Sequence, residues 1–233
     1  MLQSKAFFTA LFLCAIVSQF VCADLFTQIP GPPFTPTVYS GQNAALSQFD
    51  TGNVTPPDNR NFATAYDNFS FTQPGFLDTL SWIGEYEDGT LAHSTSFVIS
   101  IYQDSAGAPG GLISQYNVGA ANETAAISPN FYSYTSGIAP LLLSGNTTYW
   151  ASFVAELDYF DNGWGLAFSF MGDGNSYQDF ENQATFVIER FRDPVDYAFS
   201  ANTQAVPEPS GLLLLGATAG MITLARRRRA RNG

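Results

Sequence analysis

The sequence predicts an all-β protein, a single sandwich of two packed sheets, and three observations predict it. Apolar and polar residues alternate with period two along a series of short runs. Gly, Pro, Asn and Asp gather between those runs, where the chain must turn. No run away from the two ends carries a long helical period.

The N-terminal 23 residues stand apart from that pattern. Lys5 precedes an apolar stretch from Ala6 to Val17, and Val21-Cys22-Ala23 offers small residues before a cut at Asp24. This is the layout of a secretory signal peptide, whose partner is signal peptidase. Both cysteines, Cys14 and Cys22, leave with it. The exported part therefore has no disulfide to draw on, and its core alone must hold it together. Residues 24–60 contain Gly31-Pro32-Pro33, Pro36 and Pro56-Pro57, and read as an irregular entry segment.

Residues 61–205 carry the sandwich. In "SFVISIY", Phe97, Ile99 and Ile101 share one face and Val98, Ser100 and Tyr102 the other. Tyr149, Ala151 and Phe153 alternate with Trp150, Ser152 and Val154; Trp164, Leu166, Phe168 and Phe170 alternate with Gly165, Ala167, Ser169 and Met171. "TAYDNFSF", "FLDTLSWIGEY", "GLISQYNV", "FYSYTSG", "ATFVIERF" and "DYAFSAN" add further runs, and "DSAGAPGG", "SGNTT" and "MGDGNS" are turns. Eight or nine short strands spaced in this way predict a jelly-roll-like sandwich.

Charge narrows the function. Between residues 24 and 206 three arginines (Arg60, Arg190, Arg192) face nineteen carboxylates, a net charge of −16. Such a surface repels phosphate backbones and anionic membranes and favours cations, so nucleic acid is excluded as a partner of the body. One histidine, His93, lies in a polar connection and reads as solvated; neither a Ser/His/Asp triad nor a His-ligated zinc can be assembled around it.

Three groups of residues remain as candidates for chemistry. Glu85, Glu87 and Asp88 in "GEYEDG" are close enough for paired-carboxylate work on a glycosidic bond, although the run breaks at Asp88-Gly89 and reads first as a solvated strand end. Asp173, Asn175, Asp179 and Glu181 occupy alternate positions and are oxygen donors of the kind calcium takes. Tyr177 interrupts them, so an acidic turn without an ion is the plainer reading, and structural calcium is the one cofactor left open. Tyr159, Asp161, Asn162 and Trp164 cluster at one turn with Phe160, where rings can stack on sugar faces and polar groups take hydroxyls. The competing reading places these aromatics in the strand core.

The C-terminus ends in Val206-Pro207-Glu208-Pro209-Ser210, a Leu-rich run over 211–225, and Arg226, Arg227, Arg228 and Arg229. Fifteen helical residues reach about 22 Å, short of the ~30 Å hydrocarbon core, so the run is a marginal membrane span. The arginines resist translocation and would hold residues 226–233 in the cytoplasm with the body outside. These three parts, in this order, resemble the PEP-CTERM sorting signal of bacteria, a tail also labelled an ice-binding-protein C-terminal domain. The resemblance covers residues 206–233. It implies recognition of Pro207-Glu208-Pro209 by an exosortase-type membrane transpeptidase, cleavage there, and transfer to a component of the cell surface or the extracellular matrix. "DTLSWIGEY", "FVISIYQDSAGAPGGLISQYNVG", "YSYTSGIAPLLLSGNTTYWASF" and "NGWGLAF" are similar in order to jelly-roll-like ectodomains that accompany this tail, over about residues 65–170. The sequence thus leads to a non-enzymatic, exported β-sandwich with a structural or adhesive role beside exopolysaccharide. A carbohydrate-binding module is the alternative, and a glycan-cleaving enzyme a distant third.

Overall fold

A computed structural model describes residues 23–52, 61–124, 127–158, 161–182 and 187–206. Residues 1–22 and 207–233, which hold most of the expected signal peptide and the expected sorting motif, apolar run and arginine cluster, lie outside the described residues. The body forms one compact unit, Asp24–Gln204.

Fourteen strands and no helix are found among the described residues. In chain order they are β1 Leu25–Thr27, β2 Ala44–Leu46, β3 Gln48–Asp50, β4 Asn61–Ser70, β5 Gly75–Tyr86, β6 Phe97–Asp104 and β7 Pro109–Asn117. There follow β8 Phe131–Leu143, β9 Thr148–Leu157, β10 Trp164–Ser169, β11 Ser176–Asn182, β12 Val187–Asp193, β13 Asp196–Tyr197 and β14 Phe199–Ala205. They make two seven-stranded sheets. The first runs β1-β14-β5-β10-β13, with β2 on β10 and β8 on β5; the second runs β12-β11-β4-β3-β9-β6-β7. In the second sheet β3 lies parallel to β9, whereas β4 and β6 pair β9 antiparallel.

The all-β expectation holds, and the period-two runs bury the faces they should. Phe97, Ile99 and Ile101 are buried, as are Ala151 and Phe153 on β9 and Trp164, Leu166 and Phe168 on β10. Between the sheets lies a core rich in rings: Trp82 stacks on Phe153 and Tyr134, with centroids 4.9 and 5.4 Å apart, and Phe97 meets Trp164 edge-on at 5.2 Å. Fully burying such a side chain stabilises by about 1.5–3 kcal/mol, which explains how a domain without a disulfide can close. Phe170 departs from its expected face. It lies beyond the end of β10 and is exposed.

Residues 24–60 are not simply irregular. They supply β1, β2 and β3, which join both sheets: β1 pairs β14, β2 pairs β10, and β3 lies between β4 and β9. Between β1 and β2 the proline-bearing stretch crosses the outer face of the first sheet. There Ile29 and Phe34 pack on a second small cluster of Ile83, Phe131, Ala167 and Ala198. Ile83 and Ala167 are thereby buried on this outer face, as Trp82 and Leu166 are on the inner one.

Candidate functional site

β5 and β10 run side by side, with Glu85 opposite Gly165 and Tyr86 opposite Trp164. On its other edge β10 takes β2, so that Gly165 also faces Leu46. This register requires glycine twice. A Cβ on Gly84 would stand 2.2 Å from the Trp164 ring, and one on Gly165 would stand 2.8 Å from the Ala45 carbonyl oxygen. The close approach brings the carboxylates of "GEYEDG" to the turn containing Trp164, two features that lie some eighty residues apart in sequence.

Where they meet, the molecule has an open groove of about 410 Å³, lined by Gln42, Asn43, Ala44, Leu46, Glu85, Glu87, Gly163, Trp164, Gly165, Gln178 and Phe180. Asn43 Nδ2 donates to Glu85 Oε1 at 3.3 Å. Burial raises the Glu85 carboxyl above its ordinary value, and the bond from Asn43 partly offsets that rise. Glu87 is exposed; its backbone N–H donates to the Gly163 carbonyl at 2.8 Å. Gln178 enters from the second sheet and donates from Nε2 to the Leu46 carbonyl at 2.8 Å. Phe180, half-buried, meets Phe191 edge-on at 5.9 Å. Chemically the groove offers two carboxylates, three amide side chains and one ring. Glu85 and Glu87 alternate along extended chain, so their α-carbons lie about 6–7 Å apart.

The sequence-nominated glycan residues are divided by the structure. Tyr159 lies outside the described residues. Asp161 is exposed in a turn closed by its N–H on the Asp158 carbonyl at 3.0 Å. Asn162 is buried and spends its amide holding the chain. Its Nδ2 donates to the carbonyls of Asp88 and Ala92 at 2.8 and 3.0 Å, and its Oδ1 accepts from the Asp88 N–H at 3.1 Å. Trp164 is 1% exposed, with Nε1 donating to the Tyr134 hydroxyl at 3.3 Å. Its ring offers no free face for a sugar to stack upon. Trp164 packs in the hydrophobic core cluster while also bordering the groove.

Three of the four calcium candidates are held by separate partners. Asp173 accepts from Asn68 Nδ2 at 3.0 and 3.3 Å, and Asn175 Oδ1 accepts from Arg192 Nε at 3.0 Å. Asp179 is buried and paired at both oxygens by Arg190, at 2.6 and 2.7 Å. Glu181 lies further along β11, opposite Ile188 and Phe62. Among the described residues no three His, Cys, Asp or Glu side chains group closely enough to hold a metal ion.

Two sites escaped the sequence. His93 is half-buried rather than solvated. It stacks on Tyr86 at 4.1 Å, its Nδ1 lies 2.7 Å from Glu123 Oε1, and its Nε2 lies 3.2 Å from the Gly89 carbonyl. Nothing local signals this, because Glu123 is 30 residues on. The second site is a knot of buried acids. Asp67 accepts from the N–H groups of Tyr197 and Asn68, and, with its amide turned so that nitrogen faces the acid, Gln28 donates to it at 2.7 Å. Beside it Asp196 accepts from the N–H groups of Gly172 and Gly174 at 2.9 and 2.7 Å. Burial pushes the Asp67 carboxyl well above its ordinary value. The Tyr197 N–H opposes that rise, and neighbouring Asp196 adds to it.

No family model matches this chain, and no curated protein matches it either.

Proposed function

We propose that this chain is an exported, non-enzymatic β-sandwich, wound in jelly-roll fashion, which an exosortase-type transpeptidase delivers to the cell surface or the extracellular matrix of a bacterium. Its role there is structural or adhesive, beside exopolysaccharide. The order of segments carries this reading: a signal peptide over 1–23, a body, then Pro207-Glu208-Pro209, an apolar run over 211–225 and Arg226, Arg227, Arg228 and Arg229. The compact unit Asp24–Gln204 falls between the two proposed processing points, so both cuts would spare the fold. Prolines at 207 and 209 favour extended backbone, which is what a protease-like active site grips.

The test is intact-mass and C-terminal peptide analysis of the surface protein. The mature species should lack everything beyond about Pro209. Persistence of peptides from 212–225 in wild type would make the tail a permanent anchor and overturn the sorting reading. Alanines at Pro207, Glu208 and Pro209 should leave uncleaved chain in the membrane.

A second reading, a carbohydrate-binding module, is favoured by one observation, the groove at Glu85 and Glu87. Carboxylates and amides around an open cleft with a ring at its rim are the usual furniture of sugar recognition. A glycan-cleaving activity would need the same two carboxylates, and release of reducing ends from a polysaccharide would reveal it.

A further inference from the structure

We propose that the groove lined by Asn43, Glu85, Glu87, Gln178 and Phe180 binds amino sugars with free ammonium groups within a matrix polysaccharide. This deepens, and rests on, the reading of the protein as matrix-associated. The volume of about 410 Å³ lies within the ~300–1,000 Å³ typical of small-ligand clefts.

Charge selects the class of sugar. The groove carries two carboxylates, and its lining contains no Lys, Arg or His. The two body arginines among the described residues are engaged elsewhere, Arg190 on Asp179 and Arg192 on Asn175. Uronic acids and other anionic glycans would enter against like charge with no cation among the described lining residues to receive them. A neutral sugar can occupy the amides but leaves Glu85 and Glu87 uncompensated once they are desolvated. An ammonium on the ring answers both, since a hydrogen-bonded N–H on a carboxylate is about twice as strong as a neutral one. Asn43 already fixes the Glu85 carboxylate on one side, which presents it in a set direction.

The backbone selects sugar over peptide. A cationic peptide bound at a sheet would add a strand to a free edge. Here Gly165 is flanked by Glu85 and Leu46, and the Leu46 carbonyl is taken by Gln178 Nε2. Recognition at the groove is left to side chains, which suit hydroxyl and ammonium groups. At Gly163, another lining residue, a Cβ would stand 3.0 Å from Glu87 Oε2, so a larger residue there would press on that carboxylate.

The experiment is calorimetric titration of the full chain in mild detergent with four probes: a glucosamine tetramer, its N-acetylated form, a glucose tetramer and a lysine tetrapeptide. The glucosamine tetramer should bind at least tenfold more tightly than the other three, and weaken at least fivefold between 50 and 500 mM salt as an ion-paired ligand does. The double variant Glu85→Gln with Glu87→Gln should lose at least tenfold for that tetramer while its circular dichroism stays that of wild type. Phe180→Ala should lower the affinity of the same probe by a smaller factor. Equal affinity for the N-acetylated or glucose tetramer overturns the ammonium while leaving a sugar groove and the matrix reading standing. Preference for the peptide, or no binding of any probe, overturns the groove as a glycan site. Neither result bears on the C-terminal processing, which peptide analysis judges separately.

Discussion

Two sets of carboxylates in this molecule make opposite use of the same chemistry. At Asp67 and Asp196 the acids are buried and met by backbone N–H groups of Asn68, Tyr197, Gly172 and Gly174. At Glu85 and Glu87 they line an open groove, and the hydrogen bond described to a carboxylate there comes from Asn43 to Glu85. The first set ties β4, β13 and the turn over 171–175 into one corner of the sandwich. The second leaves lone pairs open to solvent, where the proposed ammonium would meet them. Acidic residues report on function only where the fold has not already satisfied them.

The contrast breaks first at Trp164, the groove residue that packs in the core. Trp164→Ala should cost about 3–5 kcal/mol, as large buried aromatics do, and lower the melting temperature steeply. A variant that unfolds near the wild-type temperature but loses affinity for the amino-sugar probe would put the ring back in the binding site.

The acid knot comes next. Asp196→Ala removes the acceptor for two N–H groups in the 171–175 turn and should destabilise by about 2–3 kcal/mol, read by chemical denaturation. The same change should leave binding in the groove untouched, because no residue of the knot lines it.

How far the sequence reached follows the same division. Phe97, Ile99 and Ile101 showed their face because a run of eight residues is long enough for period two to register. The strands β1, β2 and β3 have three residues each and no period to read; tertiary pairing alone makes them strands. Glu85, Glu87 and the Trp164 turn were each visible as points of interest, but the groove they share was not. Its far wall, Gln178 and Phe180, comes from the other sheet some ninety residues downstream, and no local pattern encodes that approach. The Asp173 series looked like ligands because alternation puts Asp179 and Glu181 on one face; what it hid was Arg190 opposite Asp179 on the next strand.

Titration sharpens the contrast further. Burial holds the folded Asp67 carboxyl well above its ordinary value of 3.8. As pH climbs the unfolded chain gives up this proton first, so the contribution is whole below about pH 3.8 and declines as pH rises toward the folded value. Asp67→Asn cannot titrate and should be less stable than wild type by an amount that is greatest near pH 4 and narrows toward pH 8. Melting temperatures of the two proteins across that range decide it; a constant gap would mean that Asp67 is ionised in the fold, with its three N–H donors outweighing burial.

The smallest expected effect is the most telling for function. Glu87 is exposed, the buried acids are far less so, and a Cβ on Gly163 would stand 3.0 Å from Glu87 Oε2. Glu87→Gln keeps its size and removes its charge, and an exposed substitution of that kind should shift stability by no more than about 0.5 kcal/mol in either direction. It should nevertheless weaken the glucosamine tetramer and flatten the salt dependence of its binding, because one of the two charges that attract the ammonium is gone. Paired measurements on one preparation, thermal melting and titration at two salt concentrations, separate the outcomes. If stability falls as it does for Asp196→Ala, Glu87 belongs with the structural acids, and the division between satisfied and open carboxylates fails where it was drawn most sharply.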